Sequence, residues 1–311
     1  QAAQRSDKHA DDPLFRSVDS DDGNADYTLL RTYALVKVTI PLPVDADGNK
    51  LVWPLDDPNA TSVTLSRSVP SIRNTAFTAP YQLDGRAPTL EAQALGALHA
   101  HAQSAHDPNA QALSDIAAFE RSEFSSPGVA QLSNALATGQ PPSDPDPPLN
   151  GFEAVGKSIF QGACAICHGG PTQNQPIPPL AGLQDIFVSK PLPPFAGGLP
   201  FPTSPPLPVR LWAVRVPGSD PVVRPSTDPG KALITGSIAD FQAFDVPALY
   251  GVSQTAPYFH DNSAATLTDV LRHYQALFDA LRRVIPDGDP LRPQRLPDEA
   301  FPPLLAYLQK I

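Results

Sequence analysis

The sequence predicts a mainly α-helical protein of two lobes, related by an internal duplication and carrying long proline-rich loops. The segment 69–90 aligns without a gap with the segment 246–267, and 10 of the 22 positions are identical. Apolar residues also recur at helical spacing before residue 160, after residue 267 and at the carboxyl end. The repeat predicts the two lobes, and the spacing predicts their helices.

Length and charge restrict the classes of protein that fit. The chain has 311 residues, 39 of them proline, and a formal net charge of −10. An acidic chain is a poor ligand for nucleic acid, whose phosphates need a basic face, and suits a basic protein partner better. No apolar run approaches the roughly 20 residues that a membrane-spanning helix needs. We therefore expect no nucleic-acid partner and no membrane span.

A proline-rich linker marks the predicted domain boundary. Residues 140–150 read QPPSDPDPPLN, which cannot form a helix. The predicted domains are therefore a first lobe at residues 1–139 and a second lobe at residues 151–311. A second proline-rich stretch, residues 171–208, contains twelve prolines and is predicted to be a long loop.

Both cysteines of the chain lie in one pentapeptide, Cys164-Ala-Ile-Cys167-His168. The spacing CxxCH is the attachment signature of c-type haem, because two thiols on one turn can each add to a porphyrin vinyl group while the histidine binds the iron. One covalently attached haem is therefore predicted. The chain contains no methionine, so a methionine ligand on the other side of the iron is excluded.

Three other readings of the pentapeptide remain open. A structural zinc site needs four nitrogen or sulfur ligands, and the chain has no further cysteine. A thioredoxin-like redox pair normally follows a strand in a βαβ unit, which is not visible before Cys164. A local disulfide would leave His168 without a role.

Two predicted helices flank the pentapeptide in the sequence. The first precedes Cys164, with Gly156 where another helix could approach closely. The second begins near Pro302 or Pro303, since proline is tolerated in a first turn. Their apolar positions are Phe152, Val155, Ile159 and Phe160 in the first helix, and Leu304, Leu305, Tyr307 and Leu308 in the second. Two such helices crossing beside CxxCH predict a cytochrome c-like lobe, and the repeat extends this prediction to both lobes.

A third predicted helix carries Tyr274. Thr266 and Asp269 resemble a capping box at its start. One face then contains Leu267, Leu271, Tyr274, Phe278 and Leu281. From spacing alone, a tyrosine on such a face is more often a packed aromatic than a metal ligand.

The motifs taken together resemble the bacterial di-haem cytochrome c peroxidase and MauG family. The resemblance lies in TAPYFHDNSAATLTDVLRHYQ at 255–275, CAICHGG at 164–170 and the first repeat at 73–98. It implies a periplasmic protein with an electron-transfer haem in the second lobe and a peroxide-reacting haem in the first. A periplasmic or otherwise exported location also agrees with covalent haem, which is assembled outside the cytoplasmic membrane.

The resemblance also implies roles for single residues. His168 is the proximal iron ligand, and Tyr274, fourteen residues after His260, is the candidate ligand on the opposite side. His260 is implied to be a hydrogen-bonding residue near the haem. The rival ligand His273 points roughly 100° away from Tyr274 on the helix. Thr255 and Pro257 match positions whose carbonyls bind calcium, so calcium is a further candidate cofactor, although the family's asparagine ligand is replaced by Ser68.

Two departures weaken the peroxidase reading. The family's inter-haem tryptophan falls on Leu83, and its distal carboxylate falls on Gln103, which remains only a candidate catalytic position because an amide cannot titrate. His99, His101 and His106 lie near Gln103 and could replace that acid, or form a solvated surface. Counting back 177 residues from Cys164 leads upstream of Gln1, so a second haem is expected only if a CxxCH segment precedes this chain.

Two functions follow as expectations. The first is a peroxidase-like oxidoreductase that passes electrons through the haem on His168 to hydrogen peroxide or to a protein partner. The second is a haem c electron-transfer or redox-responsive binding protein whose first lobe is not catalytic. In both, the partner is an electron-donor or electron-acceptor protein.

Overall fold

The computed structural model describes residues 19–21, 26–102, 104, 106–175 and 202–311. Its α-helices are α1 Thr28–Tyr33, α2 Leu90–Ala100, α3 Ala110–Ser122, α4 Pro127–Ala137, α5 Gly151–Ala163, α6 Ala232–Thr235, α7 Leu267–Val284 and α8 Phe301–Lys310. Its strands are β1 Leu35–Pro41, β2 Val52–Pro54, β3 Ser62–Ser68, β4 Arg210–Val214 and β5 Val222–Ser226. No helix among these residues has the length and apolar content needed to cross a membrane.

Strands β1 and β3 form an antiparallel pair, with Leu35 opposite Ser68 and Pro41 opposite Ser62. Successive side chains of a strand point to opposite faces. Strand β3 follows this rule, since Val63, Leu65 and Arg67 are buried while the residues between them are more exposed. The alternation therefore turns one charged residue, Arg67, toward the interior.

A second sheet joins distant parts of the chain. Strand β4 lies in its centre and pairs antiparallel with β2 on one side and β5 on the other. Trp212 of β4 is fully buried, and its indole nitrogen donates to the Ser226 carbonyl at 3.1 Å. Side chains from both sheets meet in one apolar core, which includes Val38, Ile40, Val52, Val63, Leu65, Trp212, Val214, Leu233 and Phe241.

The prediction of a mainly α fold with two cytochrome c-like lobes is wrong. Helices and strands together build the structure, with two β-sheets among the described residues. The helical spacing of apolar residues did not predict the strands, because they are short and their partners are distant in sequence. Strand β2 has three residues and pairs with a strand more than 150 positions later. The proline-rich stretch 171–208 lies largely outside the described residues.

The repeated segments nevertheless adopt the same local structure. Each contains a short 3-10 helix, at Thr75–Phe77 and Val252–Gln254. In each, a tyrosine hydroxyl donates back to the first carbonyl of that helix at 3.1 Å, from Tyr81 and from Tyr258. A threonine side chain then caps the following helix in both copies. The identity at 10 positions therefore reflects a shared backbone path.

The two copies also contact each other reciprocally. The Ser68 amide donates to the His260 carbonyl at 2.7 Å, and the Asp245 amide donates to the Leu83 carbonyl at 2.9 Å. Adding 177 to 68 gives 245 and adding 177 to 83 gives 260, so each hydrogen bond is the counterpart of the other. This is the pattern of a two-fold interface, here formed within one chain.

A buried ion cluster lies at this interface. The Arg67 guanidinium donates to both oxygens of Asp228, at 2.6 and 2.9 Å, and also contacts Asp84. Arg86 adds a second cation to Asp84 at 2.8 Å. Burial alone would raise the pKa of Asp228, but the Arg67 charge outweighs burial and lowers that pKa. The charge that β3 turns inward is thus neutralised by carboxylates from two other parts of the chain.

The third structural unit is a helical core made by α5, α7 and α8. Helices α5 and α8 cross at Gly156, where an added Cβ would lie 1.9 Å from the Pro303 carbonyl oxygen. The close approach expected at Gly156 is therefore confirmed. The apolar face expected for α5 is only partly right, because Phe160 is buried while Phe152 and Val155 are more than half exposed.

The segment 140–150 contains no helix or strand, as its prolines predict. It runs to Asn150, which begins α5 with a capping box formed with Glu153. Lys157 of α5 pairs with Asp144 and Asp146 of the segment, at 2.5 and 2.7 Å. The domain limits 1–139 and 151–311 remain a prediction.

We expect Gly156→Ala to destabilise the fold. The new methyl group meets a backbone carbonyl, so α5 and α8 must move apart, and overpacking of this kind costs about 1–3 kcal/mol or more. Chemical denaturation measures the loss. Gly162→Ala in the same helix is the control, because its Cβ would meet only the flexible end of Gln294 at 3.0 Å. Equal stability of the two variants would contradict the close crossing.

Candidate functional site

Helix α5 carries the pentapeptide at its carboxyl end. The helix ends at Ala163, and Cys164 is the residue that follows. The chain continues in a turn, since the amides of Cys167 and His168 both donate to the Cys164 carbonyl, at 3.1 and 2.9 Å. The two cysteines and the histidine are therefore grouped on one turn, as the CxxCH spacing predicts.

The two cysteines are not joined in a disulfide, and both are half-buried. Burial raises the pKa of Cys164 to about 12 and also raises that of Cys167. Reactive redox cysteines and zinc-bound cysteines are thiolates with a lowered pKa. Both thiols here are protonated at neutral pH, which disfavours a thioredoxin-like pair. Among the residues described, no three or more His, Cys, Asp or Glu side chains form a group that could hold a metal ion.

Two backbone carbonyls hold the His168 ring. Its Nδ1 atom lies 3.2 Å from the Pro247 oxygen and 3.3 Å from the Gln173 oxygen. Carbonyl oxygens only accept hydrogen bonds, so the ring hydrogen is on Nδ1 and the lone pair is on Nε2. Burial lowers the pKa of His168, which keeps the imidazole neutral. A neutral imidazole oriented through Nδ1 is the form in which histidine binds a metal through Nε2.

A tight loop supplies one of these carbonyls. The amide of Gln175 donates to the Gly169 carbonyl at 3.0 Å, and Gln173 adopts a left-handed backbone with φ of 55°. The other carbonyl, that of Pro247, belongs to the second copy of the repeat. The orientation of His168 thus depends on both the loop after the pentapeptide and the repeated segment.

Tyr274 lies on α7 and packs on the same apolar core as Cys164. Its ring is 6.0 Å from that of Phe278, centre to centre. Burial raises the pKa of the Tyr274 phenol, and electrostatic interaction with Cys164 and Cys167 raises it further. The Tyr274 phenol therefore interacts electrostatically with both thiols. The predicted capping box of Thr266 and Asp269 and the predicted apolar face of α7 are confirmed.

His273, the rival of Tyr274, is half-buried beside aromatic rings. Its ring lies edge-on to Phe259, with centres 4.8 Å apart, and 5.7 Å from the ring of Tyr274.

His260 is placed in the interface between the repeat copies. Its ring stacks on Phe244 at 3.9 Å, and its charge interaction contributes to the lowered pKa of Asp228. The side chain is 8% exposed. His260 is thus associated with the Arg67 cluster, and its implied hydrogen bond near a haem stays a prediction.

The remaining predicted residues are at the edge of the site or beyond it. Thr255 is exposed, and its hydroxyl donates to the Val252 carbonyl at 2.9 Å; Pro257 is partly buried. Calcium at their carbonyls stays a prediction. Gln103 lies outside the described residues. Near it, His99 pairs with Asp107 at 2.5 Å and His101 with Asp19 at 3.0 Å.

Sequence reasoning missed the polar residues behind His168. Gln173 is 5% exposed, and its side-chain nitrogen donates to the Tyr307 hydroxyl at 3.2 Å. The helical spacing predicts for Tyr307 only a place in the apolar cluster of the last helix. No local pattern identifies these residues, because Gln173 and Tyr307 are 134 positions apart.

Comparisons with known proteins give a likeness of structure and none of sequence family. No family model matches the chain, and no curated protein sequence matches it. Among solved structures, the chain is similar to one described as a MauG-like protein associated with microbial copper homeostasis. That similarity has a TM-score of 0.49 and 22% sequence identity, and it covers 86% of this chain and 76% of the other.

Proposed function

We propose that this chain is a c-type haem redox protein in which Cys164 and Cys167 attach the haem and His168 binds its iron. The observation that carries the proposal is the orientation of His168, whose Nδ1 faces two carbonyls so that Nε2 keeps its lone pair. A dithiol function would have no use for this histidine, and the raised pKa of both thiols disfavours one. A structural zinc site would need a fourth ligand, and no group of three or more His, Cys, Asp or Glu side chains among the described residues could hold a metal ion.

Each proposed residue has one chemical task. Each thiol would add its S–H across one vinyl group, so that sulfur bonds to one carbon, hydrogen to the other, and no oxidant is consumed. His168 would hold the iron through its Nε2 lone pair, while its Nδ1–H stays on the two carbonyls. When bound, haem c supplies an iron centre that takes up and gives up one electron.

Tyr274 is the proposed ligand on the opposite side of the iron. Tyr274 and Cys164 pack against the same apolar core, which supports this assignment. The phenol would have to lose its proton to bind as an anion, and its raised pKa opposes that loss in the absence of a metal. An anionic oxygen ligand stabilises the ferric state and so lowers the reduction potential.

The electron partner is proposed from charge. The net charge of −10 suits a basic donor or acceptor protein, and the proposed attachment chemistry supports a periplasmic or otherwise exported location. The finer proposal is a peroxidase-like oxidoreductase that passes electrons to hydrogen peroxide or to that partner.

A non-catalytic electron-transfer or redox-responsive binding protein is the second candidate. Leu83 favours it, because an aliphatic side chain cannot relay electrons as an indole can. In the structure, Leu83 contributes a backbone carbonyl to the Asp245 amide at 2.9 Å.

We expect the protein purified from cells that assemble c-type cytochromes to carry one covalent haem. Mass spectrometry after denaturation measures the haem on the peptide containing Cys164 and Cys167, and neither sulfur then reacts with iodoacetamide. A Cys164→Ser, Cys167→Ser double variant is the control and carries none. A colourless protein with two alkylated sulfurs would refute the proposed function.

Replacing Tyr274 by phenylalanine tests the second ligand. The variant removes only the hydroxyl, so we expect a changed ferric absorption and electron paramagnetic resonance spectrum and a higher reduction potential. Tyr258→Phe is the control, because that hydroxyl bonds the Val252 carbonyl within the repeat. An unchanged ferric spectrum in Tyr274→Phe would exclude Tyr274 as a ligand.

Peroxide turnover separates the two candidate functions. We expect the haem-loaded protein, mixed with hydrogen peroxide and a reduced electron donor, to oxidise the donor catalytically, measured by its absorbance. The protein without haem gives the background rate. If donor oxidation stays at background while the haem still reduces and reoxidises, the electron-transfer alternative is the correct one.

A further inference from the structure

A chain of buried polar groups connects His168 to the segment 140–150. It begins at Gln173, whose carbonyl oxygen contacts His168 Nδ1 at 3.3 Å. The side-chain nitrogen of the same residue donates to the Tyr307 hydroxyl at 3.2 Å. Gln173 therefore joins the histidine to a phenol through its own backbone and side chain.

Tyr307 is the second member of the chain. It is 1% exposed, and its ring packs against Phe160 of α5 with centres 5.5 Å apart. Burial raises the pKa of Tyr307, and the neighbouring Asp146 carboxylate raises it further. Tyr307 is therefore a neutral phenol that accepts a hydrogen bond from Gln173 and interacts electrostatically with the Asp146 carboxylate.

Asp146 is the last member of the chain and its source of charge. Its side chain is 4% exposed and lies 2.7 Å from the Lys157 ammonium nitrogen. Asp144 pairs with the same lysine at 2.5 Å, but its side chain is 62% exposed. Water screens an exposed charge and screens a buried charge far less. The two aspartates thus share one cation and differ in burial and in contact with Tyr307.

We infer that Asp146, Tyr307 and Gln173 are positioning residues for the His168 imidazole. They hold its ring and make the electrostatic potential more negative at the metal that His168 would bind. The inference rests on the proposed function, since it concerns the ligand of that haem. A hydrogen bond from the second ring nitrogen raises the basicity of a histidine ligand, and its partners tune the metal. A buried carboxylate behind the histidine stabilises the more positive, ferric state.

The test compares Asp146→Asn with Asp144→Asn in the haem-loaded protein. We expect Asp146→Asn to raise the reduction potential, so that the equilibrium constant for reduction increases roughly three- to tenfold. A tenfold change corresponds to about 59 mV for one electron. Asp144→Asn removes the same formal charge from the same lysine and is expected to change that constant by less than about twofold, because of screening. Spectroelectrochemical titration measures both values.

Tyr307→Phe tests the chain without altering any charge. We expect it to shift the potential in the same direction, because Gln173 loses the acceptor of its side-chain hydrogen bond and its carbonyl then holds the His168 ring less firmly. Its thermal unfolding midpoint, measured alongside, identifies any loss of folding. Equal potentials in Asp146→Asn and Asp144→Asn, or an unchanged potential in both Asp146→Asn and Tyr307→Phe, would overturn the inference.

A second readout keeps this inference distinct from the proposed function. If no haem is attached, the proposed function fails, and the ¹⁵N chemical shifts of the His168 ring report the positioning alone. Asp146→Asn is then expected to move the Nδ1 shift and Asp144→Asn to leave it unchanged. No difference between the two variants would refute the positioning chain as well.

Discussion

The crossing of α5 and α8 at Gly156 is the contact on which the candidate site depends. A side chain at this position would collide with the Pro303 carbonyl, so only glycine allows the two backbones to lie so close. The crossing places Phe160 against Tyr307 and sets Tyr307 behind the pentapeptide that ends α5. The absence of a side chain at Gly156 thus determines where Tyr307 lies relative to His168.

The repeat contributes a second constraint, because it makes the protein fold around an internal two-fold contact. The paired hydrogen bonds of Ser68 with His260 and of Asp245 with Leu83 align the two copies in register. The copies have diverged where they meet, since Arg67 in one corresponds to Phe244 in the other, and the guanidinium lies 5.9 Å from that ring. Equivalent positions have therefore become complementary, a cation facing an aromatic ring.

Local signals in the sequence predicted local structure well. The CxxCH turn and the capping box of Thr266 each depend on residues a few positions apart, and both are present. The close approach at Gly156 was indicated by a glycine within a helical apolar pattern, although its partner Pro303 is distant in sequence. The strands were not predicted, although β3 alternates apolar and polar residues. Its partner β1 is separated from it in sequence by another strand, and the charged Arg67 occupies a core-facing position of β3. The fold class was wrong for that reason.

Contacts between distant residues could not be predicted at all. Pro247 orients His168 across 79 positions, and it does so with a backbone carbonyl, which every residue type possesses. Likewise, the apolar pattern of α5 does not favour burial of Phe160 over Phe152 and Val155. The helix buries the face that contains Gly156 because that face packs closely against α8, and Phe152 and Val155 on the other face stay exposed.

The proposed Tyr274 ligand and the buried carboxylate of Asp146 would both lower the reduction potential of the iron. A tyrosine oxygen at the iron and a buried carboxylate behind the histidine both favour the ferric state, one by direct bonding and the other through space. The Lys157 ammonium opposes the carboxylate, yet it also pairs with exposed Asp144, which offsets part of its charge. A centre with both features would have a low reduction potential. Its reduction would therefore require a strongly reducing donor, and its oxidation would be easy.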